Sequence, residues 1–274
     1  MNFGLLIIGD EILSGKREDK HLPKVIELLT ERGLALAWAR YVGDDPVRIT
    51  ADLEDAFASG DVVFSCGGIG ATPDDHTRQC AAAALGVPLA LHPQARDLIL
   101  ERMRDLAKER GVPYEPDRDD NRHRLNMGVF PSGAEIIPNP YNKIAGFAVR
   151  PLDESVGGRG GVFFVPGFPV MAWPMIEWVL DTHYADLRRT RGASERSVIV
   201  FGAMEATLTP LMEAIEARFV GVKVFSLPSV DHPQWGRHIE LGVKGNAEAL
   251  DAAYAELLSG LKAHDAALGP ELVR

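Results

Sequence analysis

Asp61-Val62-Val63-Phe64-Ser65-Cys66-Gly67-Gly68-Ile69-Gly70-Ala71-Thr72-Pro73-Asp74-Asp75 is an apolar run that breaks into a glycine-rich, acidic turn. Consecutive apolar residues, without alternation, are the pattern of a strand covered on both faces. Asp61–Ser65, Phe3–Ile8, Leu34–Val42 and Val162–Val165 read as buried strands, most of them with that pattern. Helical spacing lies between them: Leu22, Val25, Ile26 and Leu29, then Ile49, Leu53, Ala56 and Phe57. Strands alternating with helices predict βαβ units and a mainly parallel sheet.

Further along, an Ala-rich helix is expected over 75–86 and another over Pro93–Arg110. The polar segment Gly111–Asp120 reads as a surface loop. Strands are expected at Glu135–Ile137 and Phe147–Arg150, with Gly157–Gly161 as a hairpin turn and a helix over 169–184. Asp186–Gly192 reads as a linker. Beyond it the pattern becomes β-α-β-β-α, with strands Ser197–Phe201, Val222–Leu227 and Arg237–Val243 and a closing helix over 246–263. The expected domains are therefore residues 1–188, an α/β domain, and residues 189–274, a small α+β module. A chain of 274 residues accommodates two such domains.

The formal net charge of -10 argues against nucleic acid as a partner, because phosphate neutralisation needs a basic face. No apolar run is long enough for a membrane span, and the N-terminus lacks the basic start of a signal peptide. Two cysteines, Cys66 and Cys80, make neither a disulfide framework nor a zinc motif, which points to the reducing cytoplasm. Cys66 reads as a small packing residue.

In open α/β sheets, ligands bind outside the carboxyl ends of the strands. Three apolar strands here run into turns: Gly9-Asp10-Glu11, Gly67–Asp75 and Pro166-Gly167-Phe168-Pro169. They are expected to meet at one rim. Gly67, Gly68 and Gly70 permit close backbone approach, and amides at a helix start favour an anion, with the Gly68 and Gly70 amides as expected phosphate donors. Thr72 or Asp74 is positioned to cap the following helix. The spacing leaves two readings open, an anion cradle or a tight turn with a helix cap. Asp10, Glu11, Asp74 and Asp75 form an acidic set at the same rim. It suits contacts to hydroxyls or ring nitrogens, or a divalent cation such as Mg²⁺, Mn²⁺ or Co²⁺. His21 and His76 fall near the rim as weaker ligand candidates.

Gly9-Asp10-Glu11, the string Gly67–Asp75 with His76-Thr77-Arg78, Asn139-Pro140, and Pro166–Pro169, in that order, resemble the molybdopterin-binding domain of the competence/damage-inducible protein A (CinA-like) family. The resemblance spans roughly residues 1–185, and 195–265 resemble the small module that follows in that family. It implies a three-layer, mainly parallel α/β fold of the molybdopterin-binding type, followed by the small α+β module. The rim would take molybdopterin or a nucleotide as a small phosphorylated ligand. Asp10, Asp74 and Asp75 are then the catalytic and metal-binding candidates. Gly9, Glu11, Gly67, Gly68, Gly70, Thr72, Thr77, Asn139, Lys143, Pro166 and Gly167 are the ligand-binding candidates. The resemblance also implies association as a dimer or trimer and, as an alternative activity, metal-dependent hydrolysis of the pyrophosphate of ADP-ribose-like nucleotides. Acids facing an anion imply that binding depends on a divalent cation. The sequence departs from the family at Ala71, where many members have Pro, and at 139–146, which lacks the Pro that often precedes the final Gly. The C-terminal amidohydrolase activity found in many members is not carried over.

Overall fold

The computed structural model describes residues 1–150, 159–188, 194–245 and 247–273. The chain divides into two units, Met1–Arg188 and Arg189–Arg274. The first contains β1 (Phe3–Ile8), α1 (Asp10–Leu13), α2 (His21–Thr30), β2 (Leu36–Val42), α3 (Pro46–Ser59), β3 (Val62–Cys66), α4 (Thr77–Leu85), β4 (Leu89–Leu91), α5 (Pro93–Arg110), α6 (Asp119–Arg124), β5 (Val129–Pro131), β6 (Glu135–Ile137), β7 (Gly146–Val149), β8 (Gly161–Val165) and α7 (Pro169–His183).

Its main sheet has the order β2-β1-β3-β8-β7-β6. The first four strands are parallel; β7 runs antiparallel to β8, and β6, antiparallel to β7, restores the direction of the first four. The continuous apolar runs are explained by burial of both faces. Leu5 and Ile7 of β1 pack with α2 and α7, while Leu6 and Ile8 pack with α3 and α4 on the opposite face. Phe163 and Val165 alternate with Val162 and Phe164 in the same way along β8. Each such fully buried side chain contributes about 1.5–3 kcal/mol of hydrophobic stabilisation. Helix, sheet and helix make the expected three layers.

β2 departs from its expectation. It is an edge strand, begins at Leu36, and exposes part of its length, because only β1 flanks it. The expected loop 111–120 contains the start of α6, and the short pair β4–β5 was not anticipated. Gly157 and Gly158 of the expected hairpin turn, and 189–192 of the expected linker, lie outside the described residues.

The second unit contains β9 (Ser194–Phe201), α8 (Glu205–Arg218), β10 (Val222–His232), β11 (Gly236–Gly245), α9 (Ala247–Ala263) and β12 (Ala267–Val273). Its antiparallel sheet has the order β10-β11-β9-β12, and Val198, Val200, Leu241 and Val243 pack against Leu208, Ile215, Tyr254 and Leu257 of the two helices. The added last strand turns the expected β-α-β-β-α into β-α-β-β-α-β.

Candidate functional site

The chain leaves β1, forms β2 on one side of it, and returns to form β3 on the other. The strand order therefore reverses at β1, and the crevice outside the carboxyl ends of β1 and β3 is where such sheets bind ligands. A cavity of about 580 Å³ lies there, lined by Gly9, Glu11, Arg17, Asp44, the loop Gly67–Thr72 with Asp74 and Asp75, and Pro166–Phe168. The three turns expected at one rim do meet.

The glycine loop is held from below. Gly67 has φ +108°, and a Cβ there would strike the Ile8 carbonyl oxygen; Gly68 has φ +66°, and a Cβ would strike the Thr77 hydroxyl. Thr77, fully buried, donates its hydroxyl to Gly67 O at 3.1 Å and its amide to Gly68 O at 3.0 Å. Arg78, also buried, donates to Gly70 O at 2.5 Å and to Asn126 O. Burial draws the Arg78 guanidinium below its ordinary range, partly offset by Asp75.

Asp75 braces the loop: its oxygens accept from the Gly70 amide at 2.9 Å, the Thr72 amide at 2.8 Å and the Thr72 hydroxyl at 2.5 Å. The Gly70 amide is thereby taken, so it is not a phosphate donor. Among the described residues, the amides of Gly68, Ile69 and Ala71 meet no acceptor. Neither Thr72 nor Asp74 caps α4; His76 occupies the N-cap without a side-chain bond.

Asp10 and Asp44 cap each other's amides across the ends of β1 and β2. Burial and the charges of Asp10, Glu11 and Asp74 push the Asp44 carboxyl above its ordinary range, against the pull of the Asp10 amide. Asp74 is exposed. Among the described residues, no three or more His, Cys, Asp or Glu side chains are grouped to hold a metal ion. Asp10, Asp74 and Asp75 form no such group.

Asn139 and Lys143 have partners away from the glycine loop. Asn139 closes its own turn, donating to Asn142 Oδ1 and Ile144 O and accepting from the Tyr141 amide. Lys143 is tied to Glu101 at 2.6 Å and Asp105 at 2.7 Å on α5, so it does not face the rim. Two residues missed from the sequence face the rim instead. Asp44 follows β2, and Arg17 makes no ion pair among the described residues, its guanidinium lying 5.9 Å from the Phe168 ring centre. The signal that could have found Arg17 is a basic residue shortly after an acidic strand-end turn.

Two smaller cavities flank the rim. One, of about 390 Å³, shares Ile8, Glu11, Arg17 and Gly167 with it and adds His21 and Cys66. The other, of about 340 Å³, shares Ile69, Gly70, Pro166 and Phe168 and has a largely apolar wall that includes Ile99, Met103 and Met171. His21 is buried on the first of these; His76 lies on a separate surface depression. Cys66 is buried among apolar side chains, as expected, and burial pushes its thiol up.

Fold and site together define a doubly wound α/β protein with a braced glycine loop at the strand switch point. Residues 4–185 match the family model described as "Probable molybdopterin binding domain", and the chain belongs to that family. It is 31% identical over 255 residues to Protein PAE0875 of Pyrobaculum aerophilum, covering 90% of this chain and 88% of that one. It is 35% identical over 181 residues to a CinA-like protein of Anaeromyxobacter sp. (strain K), covering 66% of this chain and 40% of the relative. The chain thus spans about 40% of the length of the Anaeromyxobacter CinA-like relatives. The crystal structure of the protein CinA, of unknown function, from Thermoplasma acidophilum shares the fold at a TM-score of 0.53 and 24% identity, covering 67% of this chain and 99% of that one. No helix among the described residues is long and apolar enough to cross a membrane.

Proposed function

We propose that the first unit binds a phosphorylated pterin or nucleotide at the rim, with the phosphate on the glycine loop. One observation carries the reading: on one braced turn lining the cavity, the amides of Gly68, Ile69 and Ala71, interrupted by the Gly70 amide that Asp75 holds, have no acceptor among the described residues. Successive free amides form a concave site for an anion. Among the described residues, Arg17 supplies the only cationic side chain on this cavity's lining and offsets the surrounding acids. Asp10, Glu11, Asp44 and Asp74 accept from ligand hydroxyls or ring N–H groups, which gives the acidic rim a role without a metal. The family description, a probable molybdopterin binding domain, supports the pterin class.

The proposed setting is the cytoplasm, where the free thiols of Cys66 and Cys80 stay reduced. The proposal includes self-association, for which exposed Val220, Val230 and Leu227 of the second unit offer apolar surface; sedimentation analysis tests it. Calorimetric titration with molybdopterin and with ADP tests the ligand class. Saturable binding of either supports the reading, and no heat with either at millimolar concentration contradicts it.

A further inference from the structure

His21 is 4% exposed and lines the cavity of about 390 Å³ beside the rim. Its Nε2 lies 3.0 Å from Gly167 O. A carbonyl oxygen can only accept, so Nε2 carries a hydrogen, and in that tautomer Nδ1 is a lone-pair acceptor. That Nδ1 is buried and has no partner. A buried acceptor without a donor is costly, so on a cavity wall it marks a place where a donor belongs.

Glu11 supplies a second acceptor. Its carboxylate folds against Gly9, where a Cβ would meet it, and it lines both this cavity and the rim. The acceptors therefore stand next to the phosphate cradle. Glu11, Arg17, Glu18 and Lys20 line this cavity beside Ile7, Ile8 and Ile12, whereas the cavity on the other side of the glycine loop carries Arg102 and Arg124 on a largely apolar wall and, among the described residues, no carboxylate. Charged walls with free acceptors match a polyhydroxylated sugar; apolar walls match a flat ring.

We propose that the His21 cavity is a sugar subsite. It takes the hydroxyl groups of a sugar phosphate, with His21 Nδ1 and the Glu11 carboxylate accepting from them. His21 is thereby a specificity-determining residue of this chain. The assignment rests on the phosphate reading above.

Calorimetric titration with three probes, inorganic pyrophosphate, ADP and 2′,3′-dideoxy-ADP, tests it. The wild-type protein is expected to bind ADP about tenfold more tightly than dideoxy-ADP, the scale of one or two net hydrogen bonds. His21→Phe keeps the bulk of the ring and removes Nδ1, and should bring that ratio below about threefold. If the wild type binds pyrophosphate but does not distinguish the two nucleotides, the sugar subsite is overturned and the phosphate reading stands. A full tenfold preference in His21→Phe overturns it too. Absence of binding by all three probes overturns the phosphate reading, and the subsite falls with it. The wild-type comparison needs no variant, so a His21→Phe protein that fails to fold leaves the decision intact.

Discussion

The Asp10 amide donates to Asp44 Oδ2 at 3.0 Å, and the Asp44 amide donates to Asp10 Oδ1 at 3.1 Å. This reciprocal pair ties the end of β1 to the end of β2 and fixes Asp44 on the lining of the site.

Asp44→Ala removes the acceptor for the Asp10 amide and should cost about 1 kcal/mol. Asp44→Asn keeps an oxygen there and removes the charge. The Asp44 carboxyl is raised, first by burial and then by the facing acids. A raised carboxyl favours the protonated folded state, so its contribution is present at low pH and is lost as pH rises through the raised value. Asp44→Asn should therefore gain stability relative to wild type between about pH 3 and about pH 7. Melting curves at both ends of that range check it.

Gly67→Ala forces a Cβ into the Ile8 carbonyl at a φ that favours glycine. A loss of about 1–3 kcal/mol is expected. Thr77→Val keeps the buried shape and removes only the hydroxyl bond to Gly67 O, costing about 1–2 kcal/mol. Urea unfolding measures both, and pyrophosphate affinity should fall in each as the loop loosens.

Asp75→Ala releases three donors at once. Pyrophosphate affinity should drop about tenfold or more, with and without added Mg²⁺, because the loss is one of loop geometry. Asp75→Asn retains one acceptor oxygen and should lose less. An Asp75→Ala protein that loses affinity only in the presence of Mg²⁺ would point back to a metal ligand.

His183 packs its ring edge-on to Trp178 at 5.4 Å, and its Nδ1 lies 3.4 Å from an Arg150 nitrogen. Burial and then Arg150 hold it below the ordinary histidine range, partly offset by Glu135. The folded state therefore prefers the neutral ring, and stability falls as pH drops below about 6.5. His183→Phe should lose less melting temperature than wild type between pH 7 and pH 5. Partial exposure keeps the difference to about 2 °C.

The sequence revealed most where a residue's own neighbours determine its structure. β1, β3 and β8 were legible because strands covered on both faces must be apolar throughout. β2 was misjudged because its place at the sheet edge depends on strand order. The glycine loop was legible from composition, whereas the engagement of Asp75 by the Gly70 and Thr72 donors was not. Lys143 looked free for phosphate because Glu101 and Asp105 are distant in the chain. Asp44 went unnoticed because its contact with Asp10 exists only once β1 and β2 are neighbours.

The central claim is that the free loop amides and Arg17 hold a phosphate without a metal. Calorimetric titration of pyrophosphate in EDTA, into wild type and Arg17→Gln, tests it most directly. The expected result is saturable binding in EDTA that weakens about tenfold in Arg17→Gln, the loss of one charge-assisted contact. Binding that appears only when a divalent cation is added, or an Arg17→Gln protein with wild-type affinity, would contradict it.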